Sequence, residues 1–159
     1  MNKARRKEIS KQAAALNAGF DAIDRVNTAF ALVREAVEAD YTPTVEKLTE
    51  LVDLLEGVVD VTSAVHDEVE RLRDEEQEYY DNMPESFQSG DKGQDAETAI
   101  QNLDDAVSSL DALQFAVDTL SSDLRAAVGM EQEDLLNLLE DFDTEGLEAA
   151  FGSLEAAAE

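Results

Sequence analysis

The sequence predicts an all-α protein: long antiparallel helices forming a helical hairpin, a three-helix bundle or a coiled coil, followed by short C-terminal helices. Three observations predict it. Apolar residues recur at steps of three and four along three separate stretches, which places them on one face of a helix. No segment alternates apolar and polar residues as a half-buried strand does. Only two prolines, Pro43 and Pro84, interrupt the 159 residues, and each stands between two of those stretches.

The first helix is predicted from about Lys3 to Ala39. Its apolar positions are Ile9, Ala13, Leu16, Phe20, Ile23, Val26, Phe30, Val33 and Val37. This is the spacing of a helix seam, with an extra step of three near Ile23 that implies a local adjustment there. Gly19 costs about 1 kcal/mol of helix propensity against Ala, so close packing is its expected use. The short link Asp40-Tyr41-Thr42-Pro43 follows, with Thr42 as N-cap and Pro43 at the first helical position. So brief a link makes the next helix an antiparallel neighbour.

The second helix is predicted to run from Pro43 to about Asn82, some 60 Å at 1.5 Å per residue. Its seam is Leu48, Leu51, Leu55, Val58, Val61, Val65, Val69, Leu72 and Tyr79, broadened by Val52 and Val59. Pro84 cannot continue it, because its ring has no N–H and clashes with the preceding turn. Gly90 and Gly93 bracket Asp91 and Lys92 in a polar turn.

Asp95 is the predicted N-cap of the third helix, whose seam is Ile100, Leu103, Val107, Leu110, Leu113, Val117, Leu120 and Leu124; Gly129 ends it. A short helix is predicted over Glu131 to Glu140. Thr144 caps a last one with Leu147, Phe151 and Leu154, whose Ala-rich end should fray. The domain reading is a long-helix bundle over 1–128, with helices at about 3–39, 43–82 and 95–128, and short acidic helices over 129–159. Three amphipathic helices need partners for their stripes. They close as a three-helix bundle, take the C-terminal helices as a fourth layer, or dimerise.

Composition narrows the function. Aromatics are 6% and there is no Trp and no Cys, which suits thin helix seams and excludes disulfides, zinc–thiolate sites and a thiol nucleophile. No apolar run approaches the ~18–20 residues that span a bilayer. The basic start lacks an apolar h-region, so it does not read as a signal peptide, and a cytoplasmic protein is the default. The net charge is −26. The first eleven residues hold five bases and one acid, so the remainder carries seven bases against thirty-seven acids, or −30. Such a body repels nucleic acid and anionic membrane and attracts basic surfaces.

One stretch carries a resemblance. Asp74-Glu75-Glu76-Gln77 precedes Tyr79-Tyr80, then Asn82-Met83-Pro84-Glu85-Ser86, a Gly-containing loop and an Asp/Leu/Ser helix from Ile100 to Leu113. This text, with Arg5-Arg6-Lys7-Glu8-Ile9 at the start, resembles a family of small phage and prophage proteins. Residues 12–70 and the tail after about Ala127 lie outside the match. The resemblance implies a phage origin, hence a host-cell cytoplasm, and a helical hairpin. It supplies no catalytic residues.

Each candidate site also has a plainer reading. His66, the only histidine, is placed to pair with Glu70 or to join Asp67 or Glu70 on a metal; the plainer reading is a half-exposed residue beside a seam. Asp141-Phe142-Asp143-Thr144-Glu145-Gly146 matches the first half of a calcium loop, but the bidentate glutamate required at position 12 is Gly152. The expectation is therefore no metal and no cofactor. Tyr79 and Tyr80, near Met83 and Phe87, either anchor a partner or plug the hairpin end. Arg5-Arg6-Lys7 either touches phosphate or an acidic partner, stays solvated, or docks on the chain's own acidic body.

Asp67, Glu70, Asp74, Glu78 and Asp81 fall at steps of three and four and form one acidic stripe on the second helix. Spread along a ~60 Å rod, the net charge approaches one per ~2.3 Å, against one per ~1.7 Å for duplex DNA. A solvated, solubilising face is the plainer account. No phosphate loop, no Ser/His/Asp or Cys/His set and no metal cluster is legible, so an enzyme is not expected. Two readings remain. One is a phage-encoded acidic protein that engages the basic surface of a nucleic-acid-binding protein through the stripe and Tyr79 and Tyr80, binding neither nucleic acid nor membrane itself. The other is an oligomeric helical assembly component, such as a homodimer.

Overall fold

A computed structural model describes residues 3–39, 42–140 and 142–158. Among them are seven helices and no strand: α1 Lys3–Ala15, α2 Asn17–Glu38, α3 Val45–Asp81, α4 Glu85–Gln88, α5 Asp91–Ala126, α6 Gln132–Leu138 and α7 Glu145–Ala158. The fold is the all-α bundle that the apolar spacing predicts.

Four arms make it. α1 and α2 form the first, α3 the second, α5 the third, and α6 with α7 the fourth. Arg5 meets Glu76, and fourteen residues on, Gly19 meets Thr62, fourteen residues back. The first arm and α3 are therefore antiparallel. α5 packs along α3 as the other half of a hairpin. The chain then returns beside α2. Gln132 Nε2 donates to the Val37 carbonyl at 2.8 Å, Arg34 Nη1 to that of Leu139 at 3.4 Å, and Asn27 Nδ2 to that of Phe142 at 3.2 Å. Asn27 Oδ1 also accepts the Phe142 N–H at 2.6 Å, so one amide side chain satisfies both backbone groups of that residue. α7 continues downward between α5 and α1. The short C-terminal helices thus form the fourth layer, and Leu135, Leu139, Leu147 and Leu154 share one core with the long arms.

The core rows are more regular than the apolar residues alone suggest. On the first arm the buried positions include Ile9, Gln12, Leu16, Gly19, Ile23, Val26, Phe30, Val33 and Val37, an unbroken alternation of three and four. The irregular step expected near Ile23 came from placing Phe20 in the seam. Gly19 occupies that position, and Phe20 stands half-buried with its ring edge against Phe151, centroids 6.2 Å apart. A Cβ on Gly19 would lie 3.0 Å from Leu147 Cδ2 and 3.2 Å from Thr62 Cγ2, so glycine permits the close approach of three arms. The discontinuity falls instead at Leu16, whose N–H is shared between the carbonyls of Gln12 and Ala13, both at 3.2 Å.

α3 begins later than expected. Its N-cap is Thr44, not Thr42, and Thr44 Oγ1 accepts the Lys47 N–H at 3.2 Å. Pro43 is buried ahead of the helix, while Asp40 and Tyr41 lie outside the described residues. The buried row includes Leu48, Leu51, Leu55, Val58, Thr62, Val65, Val69, Leu72 and Glu76. Thr62 holds the place expected for Val61, and Glu76 fills the position between Leu72 and Tyr79 that the expected seam skips; Val61 and Tyr79 sit outside the core row.

At the hairpin tip, Pro84 is N-cap of the single turn α4, where a loop was expected. α5 starts at Asp91 after Gly90, so Asp95 is an exposed helix residue rather than the cap. Gly93 is buried inside the first turn of α5. A Cβ there would lie 1.9 Å from the Gln88 carbonyl oxygen, a clash with backbone. Gly93→Ala is expected to lower stability by about 3 kcal/mol, because the overlap is with backbone that the Gln88–Tyr80 and Phe87–Pro84 hydrogen bonds hold in place. Urea unfolding checks it, and an unchanged midpoint would show that α4 moves freely.

The upper half of α5 packs through small residues. Gly93, Ala96, Ala99 and Ala106 are buried with Leu103, while Ile100 and Val107, expected in the seam, are half-buried. The Ala-rich end of α7, expected to fray, is helical to Ala158 and buries Ala157.

Candidate partner surface on α3 and the hairpin tip

The core row of α3 dictates which of its residues face outward. Asp67, Glu70, Asp74, Glu78 and Asp81 are all exposed. Beside them runs a row that ties α3 to α5. His66 Nε2 lies 3.0 Å from Asp111 Oδ1, Arg73 Nη1 donates to Asp104 Oδ1 at 2.7 Å, and the Tyr80 hydroxyl donates to Glu97 Oε1 at 2.8 Å. Each rung is seven residues from the next on both helices, in opposite directions. Seven residues are close to two helical turns, so the rungs line up along one edge of the hairpin.

This ladder redraws three expectations. His66 meets Asp111 across the hairpin, with Asp67 Oδ1 3.4 Å from its Nδ1, rather than pairing with Glu70. Arg73 also reaches Asp74 Oδ1 at 2.7 Å and Glu70 Oε1 at 3.6 Å. Two of the five stripe carboxylates therefore share a guanidinium. Tyr79 and Tyr80 diverge. Tyr80 belongs to the ladder, and its bond to Glu97 holds the phenol above its ordinary pKa, because the carboxylate favours the protonated hydroxyl. Tyr79 is 40% exposed and lies under Arg5, whose guanidinium carbon is 5.4 Å from the ring centroid.

Arg5 is where the basic start of the chain meets the acidic body. It hydrogen-bonds Glu76, and its Nε lies 3.7 Å from Glu75 Oε2. Glu76 is 0% exposed. Glu76 is not evident from hydrophobicity, because it is a charged residue in an otherwise apolar row. The strict alternation of three and four, carried past Leu72, lands on it. Lys3 and Lys7 remain exposed, and Lys11 bonds Glu8 at 2.8 Å, lowering the Glu8 carboxyl pKa. Nearby, a hydrogen bond from Arg71 holds the Glu68 carboxyl below the usual range.

At the tip a recess of about 280 Å³ is lined by Tyr79, Asn82, Met83, Pro84, Phe87 and Lys92. A neighbouring recess shares Tyr79 and Asn82 and adds Arg5, Glu75 and Glu78. Phe87 is 49% exposed, so the aromatics do not seal the hairpin end as a plug would.

The calcium-like segment is partly outside the described residues, at Asp141. Asp143 Oδ1 accepts the Glu145 N–H at 2.8 Å, and Thr144 Oγ1 donates to Glu148 Oε1 at 2.9 Å. Gly152, at position 12 of the loop pattern, lies within α7. Among the described residues no group of three or more His, Cys, Asp or Glu side chains is arranged to hold a metal ion. No helix among them is long and apolar enough to cross a membrane. No family profile, curated protein or solved structure matches the chain.

Proposed function

We propose that this is a non-enzymatic, phage-encoded acidic binding protein acting in the host cytoplasm. Its partner is the basic surface of a nucleic-acid-binding protein, such as a host defence or DNA-handling enzyme, which it inhibits by occupying the nucleic-acid site. One observation carries the reading: five exposed carboxylates stand at helical spacing on α3, a helix whose orientation is set by its buried row. They extend over about 21 Å of rigid helix. With a net charge of −26 the molecule attracts cationic surfaces from a distance and repels free nucleic acid.

The test replaces Asp67, Glu70, Asp74 and Glu78 by Asn or Gln. Partner capture from host lysate should weaken by about tenfold or more, ~1.4 kcal/mol spread over four charges. Added salt should reduce wild-type binding more than variant binding. Stability should change by less than about 0.5 kcal/mol, because relief of repulsion along the stripe offsets loss of the exposed Arg73 contacts. Equal capture by both proteins across a range of salt would leave the stripe a solvated face.

The assembly reading has Phe115 in its favour, 74% exposed on α5. Sedimentation separates the two: a defined oligomer that Phe115→Ser dissolves, indifferent to basic partners, favours assembly.

A further inference from the structure

We propose that the recess at the hairpin tip is the anchoring half of the partner site and receives one apolar side chain from a basic segment of the partner protein. This rests on the reading of the molecule as a binder of a basic surface.

The tip differs from the rest of the acidic surface. Tyr79 and Phe87 are 40% and 49% exposed, and Met83 and Pro84 complete an apolar wall between them. Aromatic and Met side chains are the residue types that dominate the desolvated centres of interfaces. The recess is preorganised. Gln88 Nε2 donates to the Tyr80 carbonyl at 3.0 Å, the Phe87 N–H bonds the Pro84 carbonyl at 2.8 Å, and Gly93 seats α5 directly against Gln88. A rigid site loses little conformational entropy on binding.

The same geometry selects an apolar rather than a cationic occupant. Both rings already have a cation nearby: the Arg5 guanidinium lies over Tyr79, and Lys92 Nζ is 5.5 Å from the Phe87 centroid. A third positive group there would meet two like charges. At about 280 Å³ the space suits a single side chain. The partner's basic groups have a different destination: Glu75 in the adjoining recess is already shared by Arg71 and Arg5, but Glu78 lines it too and continues into the exposed stripe of Asp67, Glu70, Asp74 and Asp81. The partner segment therefore carries an apolar residue beside arginine or lysine.

Two synthetic peptides of equal charge test this, one alternating Arg with Leu and the other Arg with Ser. Both are titrated into the full-length protein at low salt, and the Met83 methyl resonance is followed by NMR. The Leu peptide should bind about tenfold tighter and shift the Met83 methyl, and Phe87→Ser should remove that preference. Because Phe87 is exposed, a melting curve that matches wild type accompanies the variant. The Met83 shift in the unaltered protein reads the same contact without any substitution. Equal binding of the two peptides, an undisturbed Met83 methyl, or a preference that survives Phe87→Ser overturns the proposal. If the peptides bind equally yet binding falls when Asp67, Glu70, Asp74 and Glu78 are neutralised, the acidic-binder reading stands and only the tip is excluded. Failure of both peptides to bind removes the two together.

Discussion

Leu110→Asp should abolish the cooperative thermal transition or lower the melting temperature by more than about 10 °C. Leu110 is 3% exposed and lies on the buried row of α5, the helix that packs on both α3 and α7. A carboxylate placed there loses its water and gains no cation. Burial of such a group costs several kcal/mol or forces it to stay protonated. That is a large part of the ~5–15 kcal/mol that holds a domain together. Phe115→Asp is the matched control, on the same helix but 74% exposed, and should move the transition by only a degree or two. Circular dichroism melts of the two variants side by side decide the point. Equal melting curves would mean that the buried row of α5 is not where the seam lies.

The Arg5–Glu76 pair carries the second large effect. Glu76 is 0% exposed and the Arg5 side chain 21%. Removing one partner of a buried ion pair costs about 3–5 kcal/mol, and the partial exposure of Arg5 reduces this to roughly 2–4 kcal/mol for Arg5→Leu. The double variant Arg5→Leu with Glu76→Leu should recover most of the loss, since it removes the carboxylate that the single variant leaves in an apolar seam. Urea unfolding of the two single variants and the double variant measures the coupling. Additive losses would show that the two side chains contribute independently. The pair also explains a basic start on a helix, which the helix dipole disfavours. Arg5 fixes α1 against the tip half of α3, where α1 buries only Ile9, Gln12 and Ala13.

Much of the fold is legible because helical burial repeats every three or four residues. On α5, Leu103, Leu110, Leu113, Val117 and Leu124 are buried as the spacing predicts, while Ser121 takes the place expected for Leu120, which is half-buried. Gly19 was read as a close-packing position for the reason that the structure supplies, a glycine with no room for a methyl group. Errors cluster where the core position is not apolar. Gly19 and Gln12 sit in the first arm, Thr62 and Glu76 in α3, and Gly93, Ala96 and Ala99 in α5. A reading based on hydrophobicity steps around such residues to the nearest Phe, Val, Ile or Tyr. It then shifts the seam by one position, at Phe20, Val61, Ile100, Val107 and Leu120, and passes over Glu76 altogether. The acidic stripe was legible because exposed residues keep the same period. Its partial neutralisation by Arg73 was not, since the Asp104 contact that orients Arg73 joins residues 31 apart in sequence.

The class of fold, the approximate extent of α3 and α5, the hairpin at Pro84 and the rows of like charge are thus legible in the sequence, whereas the break between α1 and α2 at Leu16 is not. The legible features all follow from spacing along one chain. Contacts between helices settle the rest: α6 and α7 close the bundle as a fourth arm, and His66, Arg73 and Tyr80 form a ladder with Asp111, Asp104 and Glu97. The same contacts bring Arg5 onto the buried Glu76. Each of these depends on the register between helices. Register is set by where small and polar residues let two backbones approach, a property of pairs of surfaces rather than of the order of residues in either one.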